Sequence, residues 1–405
     1  MRYTQAEVTR FVAGSEENDK QAMENRFLIK IAVPIFVLAL LLSLGGCGGS
    51  SSTANTTPPP GCTTDCGTPA ALGTVSSVSL LSSCPSNYAT GMSCSQATVS
   101  CPNTADIGVT YGYLAPASIK GTVFFHGGGD GMVPQDISDF SAAYLGAGYA
   151  LVQMAWVSTW EDTGLTTKNI GAAACRPATL MNYIFQNVAT PSGAAKCAQG
   201  FSAGSAAVGY ALAWYGAGSY LDNAELVSGP VFSDIQQGCE FPQPPLLTIC
   251  GPGQFGCPSG GQFQDSPSYT PGTALGVGGI TGDATCGGSG GTTPTSSQSN
   301  ANWKAMSIVN GTAMPSFSYP KTSLAGWVCN NGTTSVGNNS AAQGDIFYQQ
   351  FTSISQTAGS FSLNPVSNCN GDEGVDQGTI GTGPGAPLGS TAITADTVAH
   401  CTVKH

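Results

Sequence analysis

The chain has 405 residues, enough for one large domain or two ordinary ones with a sizeable buried core. Apolar residues make up 41% and charged residues only 9%, so Ser, Thr, Asn, Gln and Gly must cover most of the surface, which suits an exported protein. The net charge is -11, and beyond residue 47 seven basic residues stand against eighteen acidic ones; nucleic acid is excluded as a partner, because phosphate binding needs a basic face that this chain cannot assemble.

Phe27 to Leu44, FLIKIAVPIFVLALLLSL, is an apolar stretch preceded by Arg26 and interrupted only by Lys30, and it runs into LGGC. Unprocessed, it is close to the ~20 apolar residues that span a bilayer. Residues 1–47 therefore read as a targeting segment. The LGGC ending resembles the lipobox of bacterial lipoproteins, which implies cleavage before Cys47, lipid attachment to Cys47 and anchorage of the exported protein to a membrane. A plain cleaved signal and an uncleaved anchor are the alternatives. Met23 opens a more ordinary signal start, MENRFLIK, so residues 1–22 fit a start at Met23 as well as one at Met1. Residues 48–75, rich in Ser, Thr, Pro and Gly, are expected to form a flexible tether without regular structure.

From residue 76 onward apolar runs alternate with helix-like segments. Strands are expected at 107–116, 121–129 and 150–156, and helices at 137–149 and 172–188, the last despite Pro177. KCAQGFS reads as a strand, AGSAAVGYALAWYG (203–216) as the helix that leaves it, and 224–232 as the next strand. Between 235 and 300 the pattern dissolves into Gly/Pro/Ser-rich sequence with Cys239, Cys250, Cys257 and Cys286, which reads as a disulfide-stapled insertion. Alternation resumes with a helix at 300–309, a strand at 322–329, a helix at 340–354, a strand at 360–366 and a closing segment, ITADTVAHCTVKH. This is the pattern of an α/β fold, a mostly parallel sheet with helices on both faces, within a single domain over 76–405.

Of fifteen cysteines, setting Cys47 aside leaves fourteen, an even number compatible with up to seven disulfides and an oxidising compartment. No pair has zinc-finger spacing followed by a second pair or by histidines, and there are only three histidines, so no metal is expected, and nothing demands a cofactor.

Gly200-Phe201-Ser202-Ala203-Gly204 fits the nucleophile-elbow pattern, in which small residues two places to either side let the chain bend sharply from strand to helix around an exposed serine. GTVFFHGGGDGM puts His126-Gly127-Gly128-Gly129 directly after a strand, where glycine lets backbone N–H groups turn toward a developing oxyanion. In this order the two motifs resemble the α/β-hydrolase family, particularly its HGGG-type esterases and lipases. The resemblance implies a serine hydrolase in which Ser202 attacks an ester carbonyl and the N–H groups of Gly127, Gly128 and Ala203 hold the oxyanion.

A serine needs a base. The family's histidine follows the last strand, where this chain has NCNGDEGVD (368–376) and no histidine, so His400 and His405 are the candidates. A Cys369–Cys401 bridge would carry His400 toward Ser202. The family's acid usually follows the strand before last, where Asn330 and Asn331 stand here. Asp234, after the strand at 224–232, is the favoured acid, with Glu373 and Asp372 as alternatives and Asp376 nearby. Arg176, the only arginine beyond the leader, reads as a structural ion-pair partner more readily than as a substrate ligand. The expected substrate is an extracellular ester, with a cell-wall acyl group or a polyester as candidates. A peptidase on the same fold and a non-catalytic surface module are the alternatives.

Overall fold

The computed structural model describes residues 69–165, 169–188, 191–233, 235, 305–309, 319, 321–329, 343–344, 347–348, 360–369, 374–380 and 385–405. The leader with Cys47, the tether to residue 68, nearly all of the 235–300 insertion, Asp234, Asp372, Glu373, Asn330 and Asn331 lie outside them. The described residues fall in one compact unit, Thr56–His405.

Nine strands form one sheet: β1 (Thr74–Leu80), β2 (Ser93–Ser100), β3 (Ile107–Leu114), β4 (Gly121–His126), β5 (Tyr149–Trp156), β6 (Ala195–Phe201), β7 (Asn223–Val227), β8 (Ser323–Cys329) and β9 (Phe361–Val366). Their spatial order is β1-β2-β3-β5-β4-β6-β7-β8-β9. The first four strands in this order pair antiparallel, and β5 through β9 pair parallel. The helices are α1 (Ser141–Gly146), α2 (Ile170–Ala173), α3 (Cys175–Asn187), α4 (Ala203–Ala213) and α5 (Gly389–His400), with a 3₁₀ turn at Ala217–Ser219.

The central parallel strands are mostly apolar on both faces because both faces are covered. Phe124, Ala198 and Leu226 pack with α3 and α4 on one side. Phe125, Leu151 and Cys197 pack with α1 on the other, and Ala325 and Trp327 pack there with Ile393 of α5. All eleven residues of α4 are buried, as expected of a helix apolar on every side. The architecture is thus α/β-hydrolase-like, as the motifs implied.

Several elements differ from expectation for local reasons. α1 starts four residues late because Asp136 Oδ1 captures the Ser138 N–H at 2.9 Å in a turn of its own. Gly148, at φ +93°, ends it. The helix expected at 172–188 is two, α2 and α3, and α2 is capped by Asn169 Oδ1 accepting from Ala172 N–H at 3.0 Å. Pro177 is accommodated because it falls in the first turn of α3, where no intrahelical N–H is needed. β7 stops at Val227, since Ser228 turns to φ 56° and Pro230 cannot extend a ladder. The end of the tether is ordered: Thr74 opens β1, and Ala70 N–H bonds Trp214 O at 2.7 Å.

The described disulfides are Cys84–Cys94, Cys101–Cys175, Cys197–Cys401 and Cys329–Cys369. The expected Cys369–Cys401 bridge is therefore wrong: each of these cysteines is bonded elsewhere, Cys369 to the end of β8 and Cys401 to β6.

Candidate active site

After β4 the chain adds β5 on one side, then crosses back to lay β6 on the other side of β4. Such a reversal opens a crevice at the carboxyl ends of the two strands, where open α/β sheets bind ligands. The glycine loop leaves β4 at this point, and Ser202 follows β6. His126 and Gly200 are paired in register, so the two motifs leave adjacent strands side by side.

Ser202 has φ 53° and ψ -119°, a conformation L-residues avoid and which costs roughly 1–3 kcal/mol unless the surroundings impose it. Those surroundings are specific. Ser202 N–H donates to Val227 O at 2.8 Å, which ties the turn to the end of β7. A Cβ on Gly200 would stand 2.2 Å from Gly204 O, and one on Gly204 would stand 2.1 Å from His126 O. Both flanking glycines are thus required by backbone contacts. The first turn of α4 lies directly against the exit of β4, and Ala203, its first residue, has no acceptor for its N–H within the helix.

The glycine loop meets this turn. A Cβ on Gly128 would lie 3.0 Å from Ser202 Cβ, so the backbone of Gly128 touches the nucleophile candidate, whereas Gly127 is backed by Val133 O. The loop is fixed by Gly131 N–H to Gly128 O at 3.2 Å and Trp156 N–H to Gly131 O at 2.9 Å. Gly128 and Ala203 thus flank Ser202, while Gly127 packs against the 133–135 segment.

His126 is fully buried beneath the loop. Trp156 Nε1–H donates to its Nε2 at 3.1 Å, and its Nδ1 stands 2.8 Å from Gly127 O. An indole N–H can only donate, so Nε2 accepts and Nδ1 carries the proton toward the carbonyl. Burial lowers the imidazole pKa from 6.5 to about 4, against the opposing pull of the Gly127 carbonyl. Neutral His126 with both nitrogens engaged orients the glycine loop.

The tail histidines are elsewhere. Cys401 is bonded to Cys197, five residues before Ser202 on β6, which at ~3.3 Å per residue is about 16 Å of strand. His400 stands beside Cys401 with its Nδ1 3.1 Å from Asp396 Oδ2. His405 Nε2 lies 2.9 Å from Leu221 O, just before β7 begins. Both occupy the amino ends of the parallel strands, opposite Ser202, and the expectation that either is its base is overturned. The partner of His400 belongs to a network under α5: Asp396 faces Glu225, whose carboxyl accepts from Asn223 Nδ2 at 2.7 Å and Trp327 Nε1 at 2.6 Å. Burial, then the Asp396 charge, pushes Glu225 well above the usual carboxylate range.

Asp376, on the turn after β9, is the one candidate acid among the described residues. Burial raises its pKa, with Asp139 and Asp136 adding to the effect against hydrogen bonds from its own N–H and that of Gln377. Arg176 is structural: it donates to the carbonyls of Ala105, Trp160, Asp162 and Thr163 and so clamps the segment after β5. That segment carries a group the sequence did not single out. Glu161 is fully buried, neither carboxyl oxygen makes a hydrogen bond, and burial, then Asp130, pushes it well above its ordinary pKa.

No protein-family profile and no curated protein matches this sequence. Among solved structures, an acetyl xylan esterase from Paenibacillus sp. R4 is similar over 72% of this chain and 81% of its own, at 11% identity and a TM-score of 0.40. A lipase in its open form is similar over 75% and 96%, at 12% identity and a TM-score of 0.41. A prolyl endopeptidase is similar over 76% of this chain but 38% of its own, at 11% identity and a TM-score of 0.41.

Proposed function

We propose that the protein is an exported serine hydrolase acting on carboxylic esters, with Ser202 as nucleophile and the N–H groups of Gly127, Gly128 and Ala203 as oxyanion donors. One observation carries the reading: Ser202 is held at φ 53° by two glycines that tolerate no side chain, with the backbone of Gly128 against its Cβ. Ser202 Oγ attacks the ester carbonyl, the tetrahedral oxyanion is held by the three N–H groups, and the alkoxide leaves to give an acyl-enzyme that water hydrolyses. Neither tail histidine takes the serine proton. That proton passes to one of the carboxylates that follow β7 and β9 in sequence, Asp234, Asp372 or Glu373, and from there to the departing alkoxide. A carboxylate is a weaker base than imidazole, which favours esters whose alcohols leave readily.

The disulfides support an oxidising, extracytoplasmic setting, and Cys47 is the proposed lipid anchor to the cell envelope. A cell-wall acyl group or a polyester remains the proposed substrate. The test is a fluorophosphonate probe on the oxidised protein followed by peptide mapping: stoichiometric label on Ser202, absent in Ser202→Ala, supports the hydrolase. A second reading, a non-catalytic surface module, is favoured by the positions of His126, His400 and His405, none of which is free to serve Ser202. A folded protein that takes no label would establish it over the first.

A further inference from the structure

A cleft of about 660 Å³ opens on the α1 side of the sheet. One wall is the segment 86–90, closed into a ring by Cys84–Cys94, and the other runs from Val133 to Leu145. Gln153 of β5, only 1% exposed, joins the two: its Oε1 accepts from Ala89 N–H at 2.8 Å and its Nε2 donates to Gln135 O. Tyr88 donates to Thr110 O at 2.8 Å and fixes the first wall to β3. The cleft is thus preformed, of a size that suits a small-molecule ligand (~300–1,000 Å³), and spares a ligand the ordering of its walls.

Its chemistry narrows the occupant. Among the described residues no Lys or Arg lines it, and the single charged lining residue is Asp136, whose carboxylate, with that of Asp139, adds to the effect of burial in raising the pKa of Asp376. A carboxylate or phosphate ligand would meet repulsion at this mouth. The remaining surface mixes amide and hydroxyl groups, at Asn87, Ser138 and Ser141, with hydrocarbon at Leu114 and Leu145. We propose that this cleft binds a neutral polyhydroxylated ligand of mono- to disaccharide size, with ligand hydroxyls on Asp136 and the amide and hydroxyl side chains and its C–H faces on Leu114 and Leu145. The site is separate from the Ser202 crevice and does not depend on Ser202 being reactive. The two are one residue apart along the glycine loop: a Cβ on Gly127 would meet Val133 O of the cleft wall at 2.7 Å, while Gly128 touches Ser202.

Saturation-transfer NMR on the oxidised full chain tests this, with cellobiose, maltose, tetramethylammonium and acetate as probes. Transfer to a disaccharide is expected, weakened about tenfold or more in Ala142→Trp, which fills the cleft from an exposed position on α1, and in Asp136→Asn, which keeps the shape of the wall. It should persist in Ser202→Ala. Absence of transfer to either sugar, transfer unchanged in both cleft variants, or transfer lost in Ser202→Ala would overturn the assignment. So would stronger binding of tetramethylammonium or acetate than of either sugar.

Discussion

Cys401 is covalently joined to Cys197, so the residue after His400 is fixed to the start of the strand whose far end leads into Ser202. No side-chain rotation spans about 16 Å of strand. His400→Ala and His405→Ala should each label Ser202 with a fluorophosphonate at rates within about twofold of the parent, since neither reaches the reacting atoms. His400→Ala should lose less than about 1 kcal/mol in urea unfolding for the His400–Asp396 pair, which is partly exposed. A tenfold loss of labelling in either variant would restore a tail histidine to the site.

Gly204 has His126 O where a side chain would begin, 2.1 Å from an added Cβ. Gly204→Ala should force β4 and α4 apart, destabilise the protein by about 3 kcal/mol or more and abolish labelling. Ala206→Gly, also on α4, is the control: it should cost about 1 kcal/mol and leave labelling intact.

Gly128→Ala places a methyl 3.0 Å from Ser202 Cβ, and Gly128 is not at positive φ, so the backbone can accept the residue. The expected result is a small change in melting temperature with a labelling rate reduced about tenfold or more, because the loop must retreat from the oxyanion position. Equal labelling rates would remove Gly128 from the oxyanion site.

His126 binds its proton at about pH 4 in the fold and at 6.5 when unfolded. Between these values the unfolded chain takes up a proton that the native state refuses, so this contribution is fully present above pH 6.5 and is lost as pH falls through 4. At its limit it amounts to about 3 kcal/mol. Glu161 and Glu225, raised by burial, act in the opposite sense: their contribution is complete below the ordinary glutamate range and is lost as pH rises through their native values. NMR titration of the His126 ring checks the first sign directly. An imidazole titrating near 6.5 would refute it.

The Cys197–Cys401 bridge closes a span of 204 residues. Chain-entropy arguments put the stabilisation from so long a closure at about 5 kcal/mol as an upper figure. The double variant Cys197→Ser with Cys401→Ser should therefore lose much of the protein's stability to urea. Labelling of Ser202 below the unfolding transition should persist, because the bridge lies at the other end of the sheet.

The sequence revealed what is local and repetitive. β4, β5, β6 and β8 were readable because both-face burial makes them mostly apolar runs, and the elbow was readable because its two glycines stand at a fixed short spacing around the serine. β1 and β2 escaped because TVSSVSL and SCSQATVS are Ser- and Thr-rich and sit at the edge of the sheet, where one face needs no apolar cover. The base was misjudged because it depended on which cysteine meets Cys401, and pairings across 204 residues are decided by topology that spacing does not encode. Glu161 gave no signal at all, since a lone acid after a strand looks like any solvated loop residue until its burial is known.

The tie between Cys197 and Cys401 also makes most of the C-terminal half a closed ring. A protease that cuts once anywhere inside that ring, including in the glycine-rich stretch between 235 and 300, cleaves the backbone without releasing a fragment. The cut chain would keep its mass but for one added water, and the two pieces would part only after reduction.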